Sequence, residues 1–295
     1  MFLGFFVLKV VRMQGDSFIF GFSNEWTFFQ KQHPKFVEAL DSLADTGQKT
    51  IKRLFVPNTP AEELIFFSGV LVLEEFAELW VLAGNGCGVG ALKILRGMYE
   101  RTVTAAYISK FPEEASRFWI FGAIAYRRVL NNVREIYGLE QLKEILGADH
   151  FDEAEKNYQE VRHDFEETLC RRCEIFRVAF SWSQFDLATM AKKAGYGLAQ
   201  CYWGAYSIPT QQAHSTVLAI TSRLKVEADG SRYFDRSAEY PSAALAASMG
   251  HVVLLKMLRI QDSFFSLGLA AEIAQREAEC KDAWPGIECD FGMGM

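Results

Sequence analysis

The sequence predicts an all-α protein: a multi-helix bundle around a central antiparallel helical hairpin, with a small β-hairpin inserted. Three observations carry this. Apolar residues recur at three- and four-residue spacing along most of the 295 residues. Two long apolar stretches, 60–83 and 86–108, are joined only by Gly84-Asn85-Gly86, a link that fits an antiparallel helix pair. Short alternating runs flank Asp229-Gly230, which is a hairpin signal.

Residues 1–33 form an N-terminal extension. Phe5–Val11 and Ser17–Phe22 read as the arms of a small hairpin turning at Gln14-Gly15-Asp16; alternatively, Met13 is the true start and the first dozen residues are dispensable. Met1–Leu8 is apolar, but Lys9 and Arg12 follow it instead of preceding it, so it does not read as a secretory signal.

The first clear helix opens at Pro34, a residue suited to a first turn, and repeats Phe36, Leu40, Leu43, Gly47, Ile51 and Leu54. Thr59 with Glu62 has the capping-box pattern and Pro60 stands at the first helical position of a second helix, which runs to about Ala83. The central helix is Gly86–Ile108. Counting outwards from the turn sets Glu75 level with Arg96 and Glu78 level with Lys93. Phe111-Pro112 breaks the helix. A fourth runs from Pro112 to Tyr137, and a short one over Leu139–Leu146 leads through Gly147 to Asp149, an expected N-cap.

His150 to about Arg177 reads as a polar helix whose charges alternate in sign, as on a solvated face. After the aromatic loop Val178–Trp182, Ser183 or Asp186 caps a short helix ending near Gly195. Tyr196–Tyr206 continues in helical phase, and Ser207-Ile208-Pro209 restarts a helix carrying Gln211, Gln212, His214 and Ser215. Lys225–Phe234 is the β-hairpin. Pro241 opens a long helix to about Ala278, bent at Gly250 or Gly268. Residues 34–280 thus read as one helical domain, and 281–295 as a flexible, Gly-rich tail.

The bulk numbers narrow the function classes. A net charge of −6 argues against a broad face for duplex DNA, though not against a local basic pocket. The segment 65–73 is too short to span a membrane and Glu74, Glu75 and Glu78 follow it, while the apolar pattern after Pro241 carries Lys256, Arg259 and Asp262. A soluble, cytoplasmic protein without a membrane partner is the expectation. The six cysteines offer one close pair, Cys170 and Cys173, with no second pair at zinc spacing, so reduced thiols are expected. Glu160-Val161-Arg162-His163 has the spacing of helix-bundle di-metal sites but lacks the second motif such sites need. No phosphate loop of the Walker type occurs. No cofactor or metal is expected.

Two constellations carry chemistry. Arg96 and Glu100 lie four apart on the apolar stripe of Val89, Leu92, Val103 and Tyr107. Burying an unpaired charge there is costly, so neighbouring carboxylates, Glu100 and Glu75, are expected to hold Arg96. This pair reads either as a structural lock between helices or as an anion site. The second constellation is Tyr206–Ser215. His214 is suited to proton transfer near neutrality, or to a hydrogen-bonded place in the core; Ser207, two turns earlier on the same face, reads as a cap before it reads as a nucleophile. The pairs Arg127-Arg128, Arg171-Arg172 and Lys192-Lys193 read as solvent-facing charges.

Over about residues 60–225 the chain resembles an uncharacterised family of bacterial proteins, a DUF5677-like domain of unknown function. The features that carry the resemblance are Leu95-Arg96, Tyr99-Glu100 and Tyr107-Ile108, then Trp182, the Ala191-Lys192 to Gly195 segment, Tyr202, Tyr206-Ser207 and His214-Ser215. In its all-helical character it is distantly similar to the HEPN group, many of whose members are ribonucleases of toxin or phage-defence systems with an Arg a few residues before a His on one helix. This chain has no Arg four to six residues before a His, so an equivalent site requires Arg96 and His214 to meet from different helices.

Two functions follow from these readings. One is a sensor or interaction protein of a bacterial defence or stress system, in which an Arg/Glu/His cluster fixes helix register. The other is a HEPN-like ribonuclease or nucleotide hydrolase, with Arg96 holding phosphate, His214 moving a proton and Glu100 orienting Arg96 or acting as base. Tyr107, Tyr206, Ser207 and Lys192 are the candidate binding residues, RNA or a nucleotide the candidate ligand, and a homodimer is expected from the apolar surplus.

Overall fold

The structure, a computed structural model, describes residues 24–52, 55–170, 175–214 and 216–286. The expected hairpin over Phe5–Phe22, together with Leu54, Arg171, Arg172, Cys173, Ser215 and residues 287–295, lies outside the described residues.

The described chain is helical apart from two antiparallel hairpins. In order the elements are α1 (Glu25–Gln32), α2 (Pro34–Ile51), α3 (Pro60–Gly84), α4 (Gly88–Lys110), α5 (Ala115–Tyr137), α6 (Leu139–Leu146), α7 (Ala148–Val161), β1 (Glu166–Cys170), β2 (Ile175–Val178), α8 (Leu187–Ala194) and α9 (Leu198–Tyr202). Then follow a π-helical turn (Trp203–Ser207), α10 (Ile208–Ala213), α11 (Val217–Thr221), β3 (Leu224–Val226), β4 (Arg232–Phe234), α12 (Tyr240–Phe265) and α13 (Ala270–Ala283). The described residues form two compact units: one drawn from 24–58, 62–110 and 187–286, the other from 59–61 and 111–186.

In the larger unit, α3 and α4 form the expected antiparallel hairpin. Its turn is closed by Gly86 N–H donating to Ala83 O (3.1 Å) and Cys87 N–H to Leu82 O (2.9 Å), with Gly86 at a φ of 76°. Glu62 folds back on the start of α3 and accepts from Asn58 N–H at 2.7 Å, a variant of the capping box. Along α4, Leu92, Leu95, Met98, Tyr99, Val103 and Ile108 are buried, and the helix lies against α12, whose Val252, Val253, Leu255, Met257 and Ile260 are buried as well. By length and composition α12 is apolar enough to cross a membrane, and 83% of its most apolar window is covered by the rest of the chain.

Polar groups on α12 enter this core with partners, although Gln261 Oε1 is buried without a hydrogen bond. Gln261 donates to Ile65 O, Lys256 Nζ donates to Tyr196 O at 2.7 Å, and His251 Nδ1 accepts from Trp284 Nε1 at 3.3 Å. Burial holds the His251 imidazole far below its ordinary range, at about 3, so it is neutral. Trp284 is buried against Phe36, ring centroids 5.0 Å apart, directly after α13.

The smaller unit is built on α5. Leu130, Leu142, Phe151 and Ala154 join α5, α6 and α7, while Ile124, Phe165 and Ala179 seat the β1–β2 hairpin. Here the expected helix from His150 to Arg177 is corrected. α7 ends at Val161, and Phe165 turns into the core ahead of a hairpin. The charges read as a helical face instead pair across strands: Glu167 stands opposite Arg177, with Arg177 Nε 2.8 Å from Glu167 Oε2.

Further corrections are local. Gly147, not Asp149, precedes α7 as its cap residue. The long C-terminal helix is two helices, broken where Ser266 and Gly268 adopt φ of 54° and 75°. Gly250 lies unbroken inside α12, where a Cβ would come within 2.9 Å of Leu79. α1, which lacks the apolar repeat that marks its neighbours, went unexpected. Arg127 and Arg128 are not simply solvent-facing: Arg127 Nε pairs with Glu155 at 2.5 Å, and Arg128 donates to the carbonyls of Val178, Ala179 and Phe180 at the end of the hairpin.

Candidate functional site

The site is built along one line of α4. Val89, Lys93, Arg96 and Glu100 follow at spacings of three and four, so they share a face. Above and below them the same stripe is core: Leu92 and Val103 are buried, and Tyr107 is only 4% exposed. Arg96 and Glu100 are not enclosed, with side chains 26% and 41% exposed. The charged pair thus sits where the apolar stripe opens to water, and not inside it.

Its partners also differ from expectation. Arg96 Nε donates to Glu100 Oε1 at 2.9 Å. Glu75 is not a partner: it takes Arg101, Nη1 to Oε1 at 2.7 Å. Five positions along a helix rotate a side chain by about 140° from its starting face. Arg101 therefore faces α3 while Arg96 faces away from it, a rotation that counting residues from the turn leaves out. Gly97 makes room for the Arg101–Glu75 pair, since a Cβ there would come within 2.8 Å of Arg101 Nη1 and 3.2 Å of Glu75 Oε1. Burial pushes the Glu75 carboxyl up to about 7 against the pull of Arg101, with Glu78, Glu100 and Glu74 adding to the rise.

The third member arrives from far along the chain. His214 ends α10 and stands exposed, with Nε2 3.0 Å from Arg96 Nη1. Arg96 and His214 thus meet from different helices. The corner holding His214 is pinned on both sides. Its N–H donates to Thr210 O (3.3 Å), its carbonyl accepts from Thr216 N–H (2.8 Å), and Thr216 Oγ1 donates to Gln211 O (2.7 Å) while capping α11.

A π-helical turn sets this register. Ile208 N–H reaches back to Trp203 O, one residue further than in an α-helix. Ser207 lies inside this continuous backbone and makes no cap hydrogen bond, so it neither restarts a helix nor caps one. The turn carries Tyr206 under the guanidinium, with Arg96 Cζ 5.6 Å from the ring centroid. Tyr99 and Tyr202 complete an aromatic cluster behind it, with ring centroids 6.1 and 5.2 Å from Tyr206. The buried Tyr99 hydroxyl donates to Leu198 O at 2.8 Å.

Of the residues singled out in the sequence, the fold brings together Arg96, Glu100, His214 and Tyr206. Tyr107 goes to the core, and Lys192 stays exposed in the last turn of α8, apart from this cluster. Beside His214 opens a cleft of about 390 Å³, lined among others by Lys93, Gln212, Ile220, Arg223 and Phe234. Sequence reasoning missed Arg223 and Phe234 as site residues. Arg223 directly precedes the β-hairpin and Phe234 is its last residue, and the hairpin read only as an insertion in the helical body. Lys93 carried a signal, one turn before Arg96. Among the described residues, no group of three or more His, Cys, Asp or Glu side chains is placed to hold a metal ion.

Chemically, the site offers a guanidinium with two of its N–H donors engaged and the others without a partner among the described residues. It also offers an imidazole whose Nε2 accepts from that guanidinium, and a carboxylate fixing the Arg from behind. Fold and site together define a helical-bundle protein with a solvent-open Arg–His–Glu site. The chain belongs to the Family of unknown function (DUF5677), which matches residues 70–232. That span includes Lys93, Arg96, Glu100, Tyr206, His214 and Arg223, and stops two residues short of Phe234. No curated protein and no solved structure matches the chain.

Proposed function

We propose that this protein cleaves single-stranded RNA, with Arg96, His214 and Glu100 as its working residues. The observation that supports this most is the 3.0 Å approach of Arg96 Nη1 to His214 Nε2 at the mouth of a cleft. A guanidinium suited to holding an anion beside an imidazole suited to accepting a proton supports a shared role at one reacting centre. RNA suits such a site because its own 2′-hydroxyl serves as nucleophile. The protein then supplies only a base, a phosphate clamp and exclusion of competing geometries.

In this reading the scissile phosphate takes the unpaired N–H donors of Arg96 and draws the guanidinium off His214. The freed Nε2 lone pair removes the 2′-hydroxyl proton. O2′ bonds to phosphorus, the P–O5′ bond breaks, and the departing O5′ takes a proton from water. The products are a 2′,3′-cyclic phosphate and a 5′-hydroxyl, and His214 returns its proton to solvent. Glu100 keeps Arg96 aimed. RNA cleavage by an Arg and a His is what the HEPN analogy implies, here with the two residues on separate helices.

The competing reading is a non-catalytic protein whose polar cluster locks helices together. It is less well supported, because a half-exposed ion pair stabilises by only about 0–1 kcal/mol and has no need of spare donors. The test is incubation of wild type and His214→Ala with single-stranded RNA, with thermal melts alongside. Cleavage by wild type alone, ending in cyclic phosphate, with closely similar melting of the two proteins, is the expected result. No cleavage by wild type overturns the proposal.

A further inference from the structure

We infer that the cleft beside His214 is a nucleotide subsite, taking the nucleoside phosphate next to the cleaved bond with its base against Phe234 and its phosphate on Lys93. This rests on the RNA-cleaving reading of the Arg96 site and names how the substrate lies in it.

The size is right for one small ligand. At about 390 Å³ the cleft lies near the lower end of the range for small-molecule sites, roughly 300–1,000 Å³, more room than a bare phosphate fills. Its lining is mixed in the way a nucleotide requires. Phe234 and Ile220 offer apolar surface to the cleft, being 47% and 59% exposed, so a flat base can stack there. Arg223 backs the Phe234 ring, its Cζ 5.2 Å from the centroid, and is itself held by Glu239 (3.0 Å) and by Ser237 O (3.0 Å). The platform is therefore fixed, and Arg223 is spoken for by a carboxylate.

Two polar groups remain unengaged. The Lys93 ammonium and the Gln212 amide have no hydrogen-bond or ion-pair partner among the described residues. Lys93 precedes Arg96 by three residues, about 4.5 Å of axial rise on nearly the same face. A phosphate on Lys93 and a phosphate on Arg96 thus belong to one continuous strand, and Gln212 offers both a donor and an acceptor to a base edge.

The probes are adenosine monophosphate, inorganic phosphate and the trinucleotide of adenosine, titrated calorimetrically into the full chain carrying His214→Ala. The same titrations are made with Phe234→Ala or Lys93→Ala added. Adenosine monophosphate is expected to bind about tenfold or more tightly than phosphate, and the trinucleotide more tightly still. Phe234→Ala abolishes the advantage over phosphate; Lys93→Ala weakens all three. Melting temperature stays near that of the parent, because both side chains are exposed. Equal affinity for phosphate and the monophosphate, an unchanged titration in Phe234→Ala, or binding of the mononucleotide without the trinucleotide each overturns the subsite.

Failure of the two proposals reads out differently. RNA cleaved with unchanged KM when Phe234→Ala or Lys93→Ala is placed in the otherwise wild-type chain refutes the subsite and leaves the cleavage reading intact. Nucleotide binding with no cleavage by wild type refutes the cleavage reading and leaves a ligand site.

Discussion

Arg96 and His214, 118 positions apart, meet at 3.0 Å. An arginine has no lone pair to offer, so His214 Nε2 must be the acceptor and its ring proton sits on Nδ1. Arg96 is therefore used for direction as well as charge: Nε is fixed on Glu100, Nη1 is directed at His214, and the remaining donors have no partner among the described residues. Lysine keeps the charge and loses the fork. Arg96→Lys is expected to lower RNA cleavage by about 10²–10³, close to the effect of Arg96→Ala. Melting temperature should move by only a few degrees, given the exposure of the pair. Initial rates on a labelled single strand, with melts, check this; a lysine variant at wild-type rate rules out the clamp.

The π-helical turn is what lets these two residues meet. One residue beyond α-helical register rotates everything after it by about 100°. Deleting Trp203, which is 65% exposed and contributes little packing, should restore α-helical register and swing His214 off Arg96. The expected result is cleavage reduced to the level of His214→Ala with helical circular dichroism preserved. Full activity in the deletion variant would show that the turn does not position His214.

The helical hairpin was legible because periodicity and a three-residue turn leave few alternatives. Arg96, Glu100 and His214 stand out in the sequence by residue type and by their place on helical stripes, and the fold brings the three side chains together. Their contact was not legible, since it depends on a one-residue bulge that no local pattern announces. Glu75 was misassigned because matching residues across a hairpin fixes height along the helices and says nothing of rotation. The charges of 150–177 misled because opposite signs satisfy each other at i,i+4 on a helix, as Lys156 and Glu160 do at 3.9 Å in α7, and also across a strand pair, as Glu167 and Arg177 do. Phe234 and Arg223 were invisible as site residues because a short hairpin carries no sign of which side chains it returns to the bundle.

Glu75 gives the protein a stability that depends on pH. Its carboxyl titrates at about 7, raised from 4.5, chiefly by burial; Arg101 opposes the rise, and Glu78, Glu100 and Glu74 reinforce it. One of its oxygens is buried without a hydrogen bond. Because the folded pKa lies above the unfolded one, the folded state binds more protons between about pH 4.5 and 7, and stability falls as pH rises through that window. Glu75→Gln cannot titrate. Its unfolding free energy in urea should lose less than that of wild type from pH 4.5 to 7, by a difference of up to about 3 kcal/mol. Parallel curves for the two proteins would mean that burial does not outweigh Arg101.

His251 acts in the opposite direction. Its imidazole is held at about 3 by burial among Phe36, Phe76 and Trp284, and its Nδ1 already accepts from Trp284 Nε1. The unfolded chain takes up a proton near 6.5 while the folded one does not, so the contribution is fully present above about 6.5 and is lost as pH falls toward 3. His251→Gln keeps an acceptor for Trp284 but fills the aromatic cage less well, and should be less stable than wild type at pH 7 by about 1–3 kcal/mol. That deficit should shrink steadily between pH 6.5 and 4, because the glutamine has no charge to exclude. Urea midpoints for both proteins at several pH values decide it: a deficit that stays constant would mean His251 takes up its proton inside the fold as readily as in the unfolded chain.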